Sequence, residues 1–561
     1  GETLSELSLA LSADAKRLAL GLPSDNGYNG TSTASGAVRL FSFTDGSFGG
    51  CALESTIGRG YTGGKNVALS AGQASTNYRF GYSVALSSDA RTLAVGVPGD
   101  LGSGVPQASY GAVRLFKFSD DRFSSVSQQF VVGKGYSGAG SLNLGAFLDA
   151  DNFGSSVSLA LNGRLLAVGA PGDSGAGNGI GGMGAAHLFS FSDDAFGGAS
   201  HEAVVGVAYS SHPSFLLKGK NLDITGWGST DAFGTSVAMS EDGRMLAIGA
   251  PGDDSPWDYS SSYYDSGAAY LFSFGGDNFS SGVWQGVLGL GYGWGKSVSI
   301  NAAANHRFGS ALSFSRDGKV LGVGSPGAGG GKVSLFKFSD SQFTLSGQAI
   351  ELTSSAGPVD ISAIAETYNS NSDNFGSSIA LSLDGTRMVV GAPGDDGAGN
   401  GQSGWGVGAA HFIRFDSEEF SSGRWLGSIG SNYASFKQIN VGSIDSGDGF
   451  GRAFALSADA RYLVIGTAGD DGPANSSPTG SGSVRLVKFA DDFFGGGELI
   501  GTIGFGYVGA NSLDLSTVVS PFGGFGRQVA LNYAATSLAV GGGGKITLIK
   551  FDGGALVGPR Y

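Results

Sequence analysis

The residues of this chain best suited to chemistry are aspartates that recur in one kind of loop. They follow a strand ending in Gly-x-Pro or its equivalent: Asp25, Asp100, Asp173, Asp253-Asp254, Asp395-Asp396 and Asp470-Asp471. Carboxylates among glycines and loop carbonyls are the donor set of calcium. The paired acids Asp253, Asp254, Asp395, Asp396, Asp470 and Asp471 are therefore the candidate calcium ligands. Each loop offers at most two adjacent carboxylates plus carbonyls, whereas calcium prefers about six to eight oxygens. The expectation is a chain with no obligatory cofactor, calcium being confined to these loops if it binds at all.

A second set of residues could hold a ligand by stacking. Trp227 and Trp294 fall in linkers, Trp257 and Trp405 in the acidic loops, and Trp284 and Trp425 in strands. The stretch PGDDSPWDYSSSYYDSG gathers Trp257, Tyr259, Tyr263 and Tyr264 with Asp253, Asp254, Asp258 and Asp265. Aromatic rings beside carboxylates and amides suit a neutral carbohydrate, whose C–H faces stack while its hydroxyls take hydrogen bonds. The competing reading is that the rings anchor long glycine-rich loops, since exposed Trp is a liability.

Catalysis finds little support at this level. A hydrolase needs a nucleophile with its base, or paired carboxylates, converging on one pocket. Here the acids recur at equivalent positions, as turn chemistry would place them, and no His lies near a Ser or Cys in a phrase such as GxSxG. The expectation is that the chain is not an enzyme. His187 and His411 share a register that Arg39, Arg114, Tyr270, Ser334, Arg485 and Thr547 fill elsewhere. They stand three repeat units apart, which argues against a shared metal site.

The elements that position these residues are repeats. From Phe375 to Phe415 the chain reads FGSSIALSLDGTRMVVGAPGDDGAGNGQSGWGVGAAHFIRF. Alternation through SSIALS, a turn at Asp384-Gly385 and an apolar run through RMVVGA make a β-hairpin, which Pro393 ends. A third strand follows the acidic loop, and a fourth, GRWLGSIG, follows the DSEEF turn. Phe-Gly returns at Phe80, Phe153, Phe233, Phe308, Phe375, Phe450 and Phe525, at intervals of 67 to 80 residues. With LSLALSADAKRLALGLPSD at the head of the chain there are eight units, starting near residues 5, 80, 153, 233, 308, 375, 450 and 525.

Small antiparallel sheets repeated in this way close radially and so protect their edges. The expected fold is all-β, a single eight-bladed β-propeller over residues 1–561 with four antiparallel strands per blade. A right-handed β-helix is the alternative, but it would need parallel coils and has no use for tight Asp-Gly hairpins. The turn acids Asp14, Asp89, Asp242, Asp317, Asp384 and Asp459 are explained by hairpin geometry. Linkers with phrases such as GGKNVALS at Gly63 and GKNLDITG at Gly219 suggest a short extended segment crossing to the next sheet. Parity then puts the acidic loops and the long linkers on one face, and the short turns on the other.

FGxS, a hairpin and VGAPGDDG together resemble the FG-GAP repeats of integrin α-subunit propellers and their bacterial relatives. The longer phrase, with LFSFSD and the GGKNV linker, is similar to repeats in secreted bacterial surface proteins of the filamentous-haemagglutinin type. The resemblance implies an extracellular or cell-surface recognition and adhesion module working through its loop face. Its partner would be a surface glycan, a protein receptor or copies of itself. The other reading is a structural subunit of a filament or coat. In the integrin family the hairpin often carries a DxDxDG calcium loop; here Ser382–Thr386 is cut to a bare turn, so hairpin calcium sites are not carried over.

Composition agrees with these bounds. Glycine supplies 102 of the 561 residues, and charged residues only 14%. A net charge of −14 argues against nucleic acid, which needs clustered Lys and Arg. The single cysteine, Cys51, leaves neither an internal disulfide nor a cysteine metal cluster. No apolar run reaches the about 18 residues of a membrane helix. The start at Gly1 and the end at Tyr561 read as the limits of a piece from a longer polypeptide.

Overall fold

The computed structural model describes residues between 8 and 560, leaving out short turns and, as its longest segments, 43–51, 70–76, 255–264, 353–378, 396–405, 416–423, 517–523 and 552–558. Each repeat unit forms one sheet, and the eight sheets follow chain order without exchanging strands. Blade 1 sets Ser8–Leu11, Arg17–Leu22, Ala37–Ser42 and Ala52–Arg59 antiparallel in that order. The described residues contain two short 3-10 turns and no α-helix.

The blades close into a ring. First strands lie side by side around the axis from blade 1 to blade 5 and from blade 6 to blade 8. Gln528–Leu531 of blade 8 lies beside Ser8–Leu11 of blade 1 and completes the circle. The eight-bladed propeller is the fold of this chain, and the β-helix alternative is set aside by the antiparallel pairing. Among the described residues six blades add a fifth strand, on the linker that the sequence reads as a short extended segment. In blade 1 this is Val67–Leu69, which pairs parallel with Ala52–Arg59 of its own blade and does not cross to the next. What crosses is a side chain. Lys65 donates to the Arg122 carbonyl of blade 2 at 3.2 Å, and Lys220 to the Asn278 carbonyl of blade 4 at 2.7 Å. The neighbouring Asn66 and Asn221 accept from the fourth-strand N–H groups of Thr56 and Val204, each at 2.8 Å. The GKN phrase is thus a rim staple between blades.

The apolar core is divided among the interblade seams. One cluster joins Val38, Leu40 and Ile57 of blade 1 to Leu93, Val95 and Phe116 of blade 2, and similar clusters join blades 2 to 3, 3 to 4, 4 to 5, 6 to 7 and 7 to 8. Second and third strands are buried along their length because both faces of each sheet are covered, as in Thr92–Val97 and Ala112–Phe118. Each fully buried Val, Leu or Phe contributes about 1.5–3 kcal/mol.

The Phe-Gly phrase is the seam itself. Phe80, Phe153, Phe233, Phe308, Phe450 and Phe525 are at most 1% exposed. Each bridges, in parallel, to the glycine that opens the third strand of the preceding blade, Gly36 to Phe80 being the first such pair. The Gly81 carbonyl then accepts the Ser8 hydroxyl at 2.8 Å, and Ser83, Ser156 and Ser236 make the same 2.8 Å bond to Gly154, Gly234 and Gly309. Gly81 has φ +90°, and a Cβ there would stand 2.7 Å from the Ala37 oxygen and 2.9 Å from Gly21 Cα. Backbones meet here without side chains between them.

The hairpin turns divide their labour. Asp89 accepts from the Arg91 N–H at 3.1 Å and from the Ser87 hydroxyl at 2.6 Å, while Ala90 takes the positive φ of 57°. Asp242 and Gly243, with φ 68°, repeat the arrangement. The acid supplies hydrogen bonds and the residue after it supplies the turn.

Candidate functional site

Antiparallel order brings the second-to-third-strand loop and the fourth-strand linker to one end of a blade, so the acidic loops and the linkers share a face. The loop is closed by its own backbone. In blade 2 the Asp100 N–H donates to Val97 O at 3.0 Å, and the Gly111 N–H returns to the Asp100 carbonyl at 2.9 Å. The same return bond runs from Gly36, Gly184, Gly267, Gly408 and Gly482 to Asp25, Asp173, Asp253, Asp395 and Asp470 at 2.7–2.8 Å.

The aspartate side chains point inward. Asp25, Asp100, Asp173, Asp253, Asp395 and Asp470 are between 0% and 6% exposed. Four of them accept the backbone N–H two residues on, from Gly27, Gly102, Gly175 and Gly472, at 2.7–2.8 Å. Every one also accepts a tyrosine hydroxyl from the linker of its own blade. The pairs are Tyr61 to Asp25 at 2.9 Å, Tyr136 to Asp100 at 2.8 Å and Tyr209 to Asp173 at 2.7 Å. Tyr292 reaches Asp253 at 2.9 Å, Tyr433 reaches Asp395 at 3.1 Å and Tyr507 reaches Asp470 at 2.9 Å.

The third strand sends a further side chain toward the same carboxylates, from the register already noted in the sequence. Arg485 meets Asp470 at 2.8 Å, Tyr270 meets Asp253 at 2.6 Å, and Arg114 lies 3.6 Å from Asp100. His411 lies 3.9 Å from Asp395, where burial pushes it down to about 3 and keeps it neutral. His187 turns to His201 instead, at 3.2 Å. Burial, helped by the aspartate charge, pushes the Tyr61 hydroxyl up to about 12 and those of Tyr136, Tyr209 and Tyr292 upward as well. The phenols therefore remain neutral donors. Burial also raises the Asp100 carboxyl against the pull of Arg114, the Gly102 N–H and Tyr136.

The candidate calcium ligands fare differently from one another. Asp253, Asp395 and Asp470 are these inward, tyrosine-bound carboxylates. Asp254 accepts the Asp265 N–H at 2.9 Å and Asp471 accepts the Gly480 N–H, so both brace the loop across its base. Asp396 lies outside the described residues, as do Trp227, Trp257, Tyr259, Tyr263, Tyr264, Trp294 and Trp405. Among the described residues no group of three or more His, Cys, Asp or Glu is placed to hold a metal ion. The linker tyrosines were missed by the reading of the sequence. Their signal was a Tyr recurring 36 to 39 residues after each loop aspartate.

A family model described as the FG-GAP repeat matches residues 227–272 and 369–410. The chain carries FG-GAP repeats. In FG-GAP terms, the Phe-Gly is the interblade bridge, and the GAP that ends the second strand leads into the tyrosine-bound aspartate. FG-GAP propeller repeats are suited to protein interaction, and that much describes this chain.

No curated protein matches the FG-GAP chain in sequence. Among solved structures it is similar to the Pseudomonas aeruginosa periplasmic gluconolactonase, at 13% identity and a TM-score of 0.39, covering 78% of this chain and 86% of that one. A putative 6-phosphogluconolactonase of Bacteroides fragilis gives 12% and 0.42, covering 85% and 92%. The C-terminal WD40 domain of Sif2 gives 10% and 0.43, covering 97% and 95%. At these identities the likeness shows the fold alone. The expectation that the chain is not an enzyme does not stand beside them, because two of these neighbours are named as lactonases; neither lends the FG-GAP chain an activity.

Proposed function

We propose that this chain is a recognition module, displayed outside the cell, that grips a protein partner through the loop-bearing face of the ring. The observation that carries the reading is the set of six aspartate–tyrosine pins, which tie the two long connections of a blade to each other. A face so braced presents its outer residues from a fixed backbone, which lowers the ordering cost of binding. Tyr28, on the acidic loop of blade 1, and Val508, next to the pin residue Tyr507, are 69% and 83% exposed on it. In the sequence, Trp257 and Tyr263 belong to the corresponding loop of blade 4, outside the described residues. The extracellular setting is carried over from the integrin-α likeness of the repeats, and adhesion is the role that such a setting gives a rigid ring.

The test screens the purified ring against a panel of cell-surface protein ectodomains, with a glycan array alongside. A protein partner should be found whose affinity falls about tenfold or more, that is by about 1.4 kcal/mol, in Tyr28→Ser with Val508→Ser or in Trp257→Ala with Tyr263→Ala. Asp89→Ala, on the short-turn face, should leave that affinity unchanged. Binding sensitive only to the short-turn face, or binding to glycans alone, would overturn the proposal.

A further inference from the structure

The loop-bearing face of blade 3 buries two carboxyl groups on neighbouring backbones. Asp151 stands two residues before Phe153, on the linker that enters the blade, and Asp173 is the loop aspartate of the same blade; each is 2% exposed. The Gly172 N–H donates to the Asp151 carbonyl at 3.0 Å, so the residue before Asp173 is tied directly to Asp151. The Asp151 carboxyl accepts the Asp149 N–H at 2.6 Å, and that of Asp173 accepts the Gly175 N–H and the Tyr209 hydroxyl, each at 2.7 Å. Among the described residues no Lys or Arg stands at ion-pair distance from either. Other blades differ on this point. Blade 2 has Tyr78 in the place of Asp151 and sets the Arg114 guanidinium 3.6 Å from Asp100, while blade 7 keeps both acids, Asp448 and Asp470, and brings Arg485 to Asp470 at 2.8 Å. In blade 3 that third-strand register holds His187, which burial keeps neutral and whose Nδ1 meets His201 Nε2 at 3.2 Å.

We propose that Asp151 and Asp173 hold one proton between them and act as a pH-sensitive latch, which ties the linker entering blade 3 to the acidic loop while the proton is present and loosens when it leaves. Two buried acids this close do not both ionise unless a cation or several donors offset the charge. Burial raises both carboxyls, and the Asp173 charge raises Asp151 further, against the pull of the Asp149 N–H on one and of Tyr209 and the Gly175 N–H on the other. The titratable groups on the elements packed here are Asp149 and Lys134 on the connection from blade 2, Tyr110 on the acidic loop of that blade, and His187, His201 and Tyr209 in blade 3. Lys134 draws Asp151 downward, but its ammonium sits on the Leu148 carbonyl at 2.5 Å and 4.1 Å over the Tyr110 ring. Asp149 adds to the negative charge. When the proton leaves for solvent the pair passes from one negative charge to two, and the repulsion falls on the Gly172–Asp151 hydrogen bond that joins linker to loop. The latch stands apart from the recognition role and needs no partner.

The test compares the full chain with Asp151→Asn, which keeps the shape and the acceptor oxygen and mimics the protonated form at every pH. A folded carboxyl value raised above the unfolded 3.8 contributes stability that is fully present below pH 3.8 and is lost as pH rises through the folded value. The melting temperature of the variant should therefore gain on that of the parent by about 1 °C per pH unit between about pH 5.5 and 8, the histidine contribution being common to both chains. Infrared spectra of the parent at pH 7 should show a protonated-carboxyl band that fades as pH rises and is missing in Asp151→Asn. Hydrogen exchange at Gly172 should quicken in alkaline solution beyond its intrinsic chemistry in the parent and not in the variant. A melting gap that stays constant with pH would overturn the shared proton. So would a parent spectrum without the band, a readout that does not depend on the variant folding. Exchange at Gly172 that follows intrinsic chemistry in both chains would overturn the latch.

Discussion

The Tyr209 hydroxyl donates to the Asp173 carboxylate at 2.7 Å, across 36 positions of chain, and fastens the linker of blade 3 to its acidic loop. The acceptor is 2% exposed and the tyrosine also 2%. The repeat of this pair in six blades makes it the unit of construction of the loop-bearing face.

Tyr209→Phe keeps the ring in place and removes one donor from a buried carboxylate. Such a loss costs about 1–3 kcal/mol. Urea unfolding of the variant should show that loss, and proteolysis should first cut the blade 3 linker, whose tether is gone. A stability change below about half a kcal/mol, the range of ordinary surface substitutions, would mean that the pin is ornamental.

Acid should destabilise the ring, partly through its histidines. His187 and His411 are wholly buried, and burial pushes both down from 6.5 to about 3. A depressed folded value means the stabilising contribution is fully present above pH 6.5, the unfolded value, and is lost as pH falls toward 3. The loss can reach about 1.4 kcal/mol per histidine for each pH unit within that window. His411→Gln can keep a hydrogen bond to the Ser428 hydroxyl, which the histidine now meets at 2.7 Å. Melting temperatures at pH 7 and pH 4.5 should differ less for His411→Gln than for the parent. Equal slopes would show that His411 takes no part in the acid response.

Gly81→Ala and Gly63→Ala separate backbone strain from the interblade contact. Both glycines have positive φ, +90° and +86°, so each alanine carries a strain of about 1–3 kcal/mol. A Cβ at Gly63 meets nothing within 4 Å, whereas one at Gly81 presses on Ala37 and Gly21 of the preceding blade. Thermal melts should therefore place Gly81→Ala well below Gly63→Ala. Matching curves would deny the Phe-Gly seam its role in closure.

Several of these features could be read without coordinates. The eight units, the hairpins, the parity of the two faces and the arc of the ring depend on alternation, turn residues and spacing, which are local properties of the chain. The register shared by His187 and His411 was also visible. So was its pattern: Arg39, Arg114, His187, Tyr270, His411 and Arg485 occur in units with a loop aspartate, while Ser334 and Thr547 occur in the two units without one. Read together, those columns point to a partner, and the tyrosine column points to a third.

What the amino-acid order determined by itself was the repeat and hence the propeller, because a hairpin needs only the φ and ψ its own residues allow, and eight of them have few ways to hide their edges. Which way the aspartates face was decided by tertiary structure alone. A polar residue in a glycine-rich loop looks exposed until a tyrosine from the next connection arrives to satisfy it, and that arrival depends on where the fourth strand ends in space. The pairing of the fifth strand is of the same kind, since the phrase GGKNVALS suggests an extended segment but not which sheet it joins, and Val67–Leu69 forms on an edge already built.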